Sequence, residues 1–192
     1  MKKICFIALL MGVSIGLFAQ STPQISSEKG MLYADLSPLF FASGGWGFAV
    51  GYEQKRVQIG INFVGVKKLG GQLAAGLFEN DTKLDIRDNL GAELMVNYFL
   101  KPSRKGFYAG AILGYSQFNI KNIEKNTASS KAISVYGDLR LGYRWFPFKE
   151  YFYIDAAYGF SRKIASTTSN DYVFKSEFSF FPFLNVGARF KL

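Results

Sequence analysis

Hydrophobic and polar residues alternate along most of this chain. Across VQIGINFVGV, residues 57–66, Val57, Ile59, Ile61 and Phe63 fall on one side, with Gln58, Gly60, Asn62 and Val64 on the other. Successive side chains of a strand point to opposite faces, so a period of two marks an extended segment with one oily and one polar face. The same rhythm runs through NLGAELMVNYFL (89–100), AISVYGDLRLGYRW (132–145) and YFYIDAAYGFS (151–161). It is fainter in MLYADLSPLF (31–40), WGFAVGYE (46–53) and GFYAGAILGYSQF (106–118), where Phe107, Ala109, Ala111, Leu113 and Tyr115 form the preferred oily face. FPFLNVGARFKL closes the set, dividing Leu184, Val186, Ala188, Phe190 and Leu192 from Asn185, Gly187, Arg189 and Lys191.

Eight strands are therefore predicted, most of them about nine to eleven residues or longer, which is the span of a tilted membrane strand. Strands of soluble proteins average nearer five or six residues. The connections alternate as well. EQKR at 53–56, KPSRKG at 101–106 and FPFKEY at 146–151 are brief, whereas 67–89, 119–131 and 162–175 are longer and polar. The connection at 42–45 is the short exception. Short turns at one end and long loops at the other are the habit of an up-and-down barrel in an outer membrane. Tyr52, Tyr98, Phe107, Tyr143, Trp145, Phe146, Phe148, Tyr151 and Phe152 flank the short turns, as an interfacial aromatic girdle would.

Alternation alone does not say which face is wet, because a soluble barrel or sandwich of lipocalin type would turn the oily face inward. The polar face decides the expectation. It repeats glycine at Gly51, Gly60, Gly91, Gly110, Gly114, Gly142, Gly159 and Gly187, and it carries Asp35, Glu53, Glu93, Asp138 and Asp155 with Arg140, Arg144, Arg189 and Lys191. A solvated surface has no need of so much glycine. Inside eight strands there is room only for side chains, and small residues must give way where Tyr33, Phe99, Tyr108, Phe118, Tyr136 or Tyr153 intrudes. These nine ionisable residues are accordingly the lumen ion-pair candidates, expected as a salt-bridged core before a proton or ion path.

Composition adds a compartment. MKKICFIALLMGVSIGLFAQ has the basic start, apolar run and small residue of a secretory signal, so 1–19 are read as a signal peptide, 20–29 as a short N-terminal segment and 30–192 as the barrel. Cys5, the only cysteine, lies in that leader and leaves the mature chain without a disulfide. Without Lys2 and Lys3 there remain 23 − 2 = 21 basic against 14 acidic residues, a net charge of 21 − 14 = +7. In an exported chain that balance fits an anionic membrane surface better than nucleic acid.

With these features the chain resembles the small eight-stranded outer-membrane β-barrel proteins of Gram-negative bacteria. The C-terminal strand carries the most specific likeness. In that family a polar residue, a glycine two further on, and apolar or aromatic residues three and five after the glycine are read by the assembly machinery. Asn185, Gly187, Phe190 and Leu192 match this spacing, with Leu192 where many members end in phenylalanine. The resemblance implies an all-β, closed, antiparallel, monomeric barrel with both termini in the periplasm. It further implies contact with outer-membrane lipid and lipopolysaccharide, and barrel-assembly machinery and periplasmic chaperones as partners during biogenesis.

Catalytic chemistry is hard to find. There is no histidine, whereas the barrel enzymes of this fold use one with Ser or Asp. No cofactor or metal site is expected. Asp138 and Asp155 could act as an acid–base pair, but charges on barrel walls more often make structural pairs. The expected role is structural or surface-interacting, acting through the external loops. A narrow pore for small or apolar solutes is the alternative, and a lipid-modifying enzyme ranks below it.

Overall fold

The computed structural model describes residues 30–42, 44–69, 79, 84–125, 130–167, 172–175 and 179–192. The expected signal peptide and the segment 20–29 lie outside the described residues, as does most of 70–83. Eight strands run in chain order: β1 (Met31–Leu36), β2 (Gly45–Gln54), β3 (Val57–Leu69), β4 (Leu84–Phe99), β5 (Gly106–Asn122), β6 (Ser130–Phe148), β7 (Phe152–Ser166) and β8 (Ser179–Lys191). Each pairs antiparallel with its neighbour, and β8 returns to β1 to close the barrel. Closure satisfies backbone groups that lipid could not.

The oily faces point outward. Leu139 and Leu141 are 70% and 71% exposed and Tyr158 is 68% exposed, while Leu94, Leu113 and Ile59 stand in the same external band. A continuous apolar belt around a whole barrel far exceeds the apolar patches that water-soluble monomers tolerate. In the ambiguous strand, Phe107, Leu113 and Tyr115 do face outward. Among the described residues no helix is long and apolar enough to cross a membrane; it is the strands that carry the belt.

Three features depart from the sequence reading. First, β1 stops at Leu36 instead of running on to Phe40, and Pro38–Ala42 form a short helix, α1. Proline lacks an N–H and suits a helix start better than a strand interior, and Phe40 N donates back to Ser37 O at 3.0 Å. Second, much of the three long connections is strand: β4 begins at Leu84, β5 reaches Asn122, β6 starts at Ser130 and β7 continues to Ser166. Here the alternation inverts. Val66, Leu84, Ile86, Phe118, Ile120 and Ala132 point inward and are buried, while Lys67, Lys121 and Lys131 are exposed outside. The barrel thus emerges from its apolar belt and continues as a water-facing barrel.

Third, Phe146 leaves the girdle. The register of β6 against β7 shifts between Trp145 and Phe148, and such a bulge re-aims side chains. Phe146 packs its ring 5.8 Å from that of buried Tyr153 and lies under the Arg189 guanidinium at 4.2 Å.

Candidate functional site

The chemistry of this protein is concentrated in its lumen, where inward residues of all eight strands meet. Glycine and tyrosine interlock to make room. A Cβ on Gly60 would strike the Tyr33 hydroxyl, one on Gly142 or Gly114 the ring of Tyr108 or Tyr136, and one on Gly187 the ring of Tyr153. The rings therefore lie flat across positions that hold no side chain, which fills an interior otherwise too narrow for them.

At the end bearing the short turns, Arg144 is fully buried and central. Its Nη1 donates to Glu53 Oε2 at 3.0 Å, and its Nη2 donates to Asp155 Oδ2 at 2.9 Å and to Gln58 Oε1 at 3.0 Å. The guanidinium lies between the rings of Tyr153, 3.9 Å from its centroid, and Phe99, 4.7 Å away. Glu53 Oε1 also accepts from Arg189 Nη1 at 2.9 Å and lies 3.2 Å from Arg104 Nε. Tyr108 donates to Asp155, and Tyr153 to Asp35. Buried charges persist when paired and hydrogen-bonded in this way.

The other candidates separate by position. Arg140 meets an amide, its Nε donating to Asn97 Oδ1 at 2.9 Å. Glu93 accepts from Asn62 Nδ2 at 3.0 Å and from the Tyr136 hydroxyl at 2.5 Å. Asp138 is buried, and its Oδ1 has no hydrogen-bond partner among the described residues. Asp138 stands opposite Ser161 and Asp155 opposite Arg144, six residues further along β6. At ~3.3 Å per residue that is about 20 Å, so the two aspartates do not form an acid–base pair. Lys191 is not in the lumen: it is 49% exposed at the rim, with Nζ 3.6 Å from Glu150 Oε1. By that point its strand has run past the last pair with β7, Phe152 with Ala188, and keeps only β1 beside it.

Of the C-terminal residues, Asn185 accepts from Ser37 Oγ at 2.6 Å and Gly187 faces the Tyr153 ring, while Phe190 and Leu192 are exposed outside. The polar and glycine positions thus have packing duties inside the barrel, in addition to any part in recognition.

Sequence reasoning missed two elements. Arg104 lies in a turn, yet it is buried, with its backbone at φ 58° and Nη1 donating to Lys55 O at 3.1 Å. A positive φ at a non-glycine turn residue is the local cost of aiming the side chain back into the mouth; only the abundance of basic residues in that turn hinted at it. At the opposite end, Tyr172 and Phe174 fold inward onto Val66, Leu84, Ile86, Phe118, Ile120 and Ala132, with Phe40 packed alongside. Lys163 Nζ holds Phe174 O at 3.1 Å. The lumen is thus crossed by an ionic layer near the short turns and by an apolar cap near the long connections. Among the described residues no group of His, Cys, Asp and Glu is arranged to hold a metal ion.

No family model and no curated protein matches the sequence. Among solved structures the chain is similar to the N-terminal β-barrel domain of Pseudomonas aeruginosa OprF, at 16% identity and a TM-score of 0.47, over 85% of this chain and 98% of that one. It is similar also to a major outer membrane protein of Thermus thermophilus, at 19% and 0.47, over 84% and 98%. A third is Neisserial surface protein A, at 16% and 0.42, over 87% and 98%. The strand pairing of the chain itself makes it a small, closed, eight-stranded antiparallel barrel with its apolar face outward.

Proposed function

We propose that this protein spans the outer membrane of a Gram-negative bacterium as a monomeric, non-conducting barrel. Both termini lie on the periplasmic side, and its role is structural or surface-interacting. The observation that carries this reading is the doubly filled lumen inside an apolar belt. A solute would have to displace Arg144 from its carboxylates and then part the Tyr172–Phe174 cap. The elongated ends of β3 to β6 and their connections then become the surface that meets partners, since exposed loops on a rigid scaffold commonly carry recognition. Assembly machinery and periplasmic chaperones are the partners proposed for biogenesis, acting on the C-terminal strand.

The test is conductance of refolded protein in a planar bilayer, with a heat-modifiable gel shift as proof of folding. Silence from folded protein is expected. Steady unitary currents would overturn the closed-lumen reading and favour the narrow pore.

A further inference from the structure

Lysines ring the end of the barrel that bears the short turns. Lys55 lies in the β2–β3 turn, Lys101 in the β4–β5 turn and Lys149 in the β6–β7 turn, while Lys191 ends β8 beside β1. All of them are exposed. Neighbouring strands lie about 4.8 Å apart, so turns two strands apart hold their lysines about 10 Å from one another. The buried carboxylates of this end, Asp35, Glu53 and Asp155, are matched in number by buried Arg104, Arg144 and Arg189. Among the described residues Glu150 is the one acidic side chain of this end outside that layer, and it faces Lys191. Lys55, Lys101 and Lys149 form no ion pair among the described residues.

The backbone carries this display at a cost. Lys55, Arg104 and Lys149 have φ of 51°, 58° and 46°, a region that glycine enters freely and other L residues enter under strain. Each short turn therefore holds a basic residue where glycine would be relaxed, and strain of this kind gathers at functional sites. Arg104 spends it on the ionic layer; Lys55 and Lys149 spend it on water. The turns are also fixed from within. Arg104 N donates to Lys101 O at 2.9 Å, its Nη1 to Lys55 O at 3.1 Å, and Arg189 Nε to Glu150 O at 2.8 Å. A preorganised surface loses little freedom on binding.

We infer that this ring is a docking surface of the folded barrel for a flexible protein segment rich in Asp and Glu. Charges in water are screened over about 8 Å at physiological salt, so lysines about 10 Å apart do not converge on one small anion. A chain of carboxylates meets them one after another. Lysine is a compact point charge without the planar fork that arginine offers to phosphate. The turns also stand beyond the girdle of Tyr52, Tyr98 and Phe107, the level at which headgroups lie. At the opposite end the charge is mixed, with Lys121 standing opposite Asp85. The surface requires neither a closed lumen nor a particular compartment on its side of the membrane.

The experiment places the refolded mature chain in phosphatidylcholine nanodiscs and follows the anisotropy of a fluorescent peptide of alternating Glu and Ser. Binding that weakens with added salt is expected, with none for the peptide carrying Gln in place of Glu. Lys55→Gln/Lys101→Gln/Lys149→Gln should weaken it on the order of tenfold, as three modest exposed pairs would. Lys67→Gln/Lys121→Gln/Lys131→Gln, at the far end, should leave it unchanged. Lys55→Gly/Lys149→Gly should raise the urea midpoint of unfolding while binding falls, a split that a purely structural role would not produce. Equal losses from the two triple variants, or binding untouched by the first, would overturn the inference. Complete loss of the peptide when phosphatidylglycerol is added to the discs would give the ring to lipid and overturn it too. A folded, silent barrel that binds no acidic peptide removes this surface alone; a conducting barrel that binds it removes the closed-lumen reading alone.

Discussion

Glu53 is the carboxylate on which the ionic layer depends. It is fully buried and sits within 2.9–3.2 Å of three arginines, Arg189, Arg144 and Arg104. Arg144 keeps Asp155 if Glu53 is neutralised, but among the described residues Arg189 would keep the Glu150 carbonyl and the Phe146 ring and no carboxylate, and Arg104 the Lys55 carbonyl and Met31 Sδ. Glu53→Gln preserves volume and one acceptor while removing the charge, and its amide N–H would face a guanidinium. Removing one member of a buried ion pair costs about 3–5 kcal/mol because the partner charge remains in a poor solvent. The expected loss is therefore about 3 kcal/mol or more in urea unfolding from lipid vesicles. The signal would be fluorescence of Trp46 and Trp145, both on the lipid face. Glu93→Gln is the control, since its partners Asn62 and Tyr136 are neutral; it should cost about 1 kcal/mol. Adding Arg189→Met to Glu53→Gln should recover part of the loss. Equal costs for the two glutamate variants, or a loss below about 1 kcal/mol for Glu53→Gln, would refute the charge argument.

Gly60→Ala should destabilise the barrel by about 1–3 kcal/mol, because a Cβ there meets both the Tyr33 hydroxyl and Val50 O; the same unfolding assay reads it. Lys191→Gln should change stability by less than about 0.5 kcal/mol, as expected for an exposed pair. Phe174→Ala should lower stability, by up to about 3 kcal/mol given its burial in the cap, yet leave a planar bilayer silent because the ionic layer below is intact. Phe190→Ala, or removal of the last three residues, should lower the amount of folded protein in outer-membrane fractions on heat-shifted gels; unchanged levels after both would remove the assembly role.

The belt was legible because its signal is repetitive. Each strand repeats oil and polarity at period two, and the interior announces itself through glycines whose only common requirement is space beside a ring, as at Gly142 under Tyr108. What the alternation hid was its own inversion. Phe118 and Ile120 continue the inward face of β5 without interruption, but once polar residues become the outward ones the segment reads as loop. The bulges were also invisible, and one of them turns Phe146 from the girdle into the lumen. Arg104 and the Tyr172–Phe174 cap depend on chain segments that return from outside any strand pattern, and Lys191 was misplaced because periodicity does not say where a barrel ends.

The seam between the first and last strands carries a consequence for how the barrel forms. β1 pairs with β8 only from Met31 to Leu36, whereas β4 and β5 are joined from Leu84 to Phe99. Side-chain bonds reach around or across that seam, among them Tyr153 to Asp35, Ser37 to Asn185, and Arg189 to Glu53, between residues 118, 148 and 136 positions apart. Arg144 and Asp155, in contrast, are 11 apart. Bringing ends together over 136 residues costs about 2 kcal/mol more chain entropy than over 11, so hairpins such as β6–β7 are expected to gain their contacts before the seam does. Contacts absent from the folding transition state govern unfolding instead of folding. The tyrosine on Asp35 and the arginine on Glu53 are then clasps on a finished ring: weakening them should leave the assembly rate nearly unchanged and shorten the time the closed barrel survives.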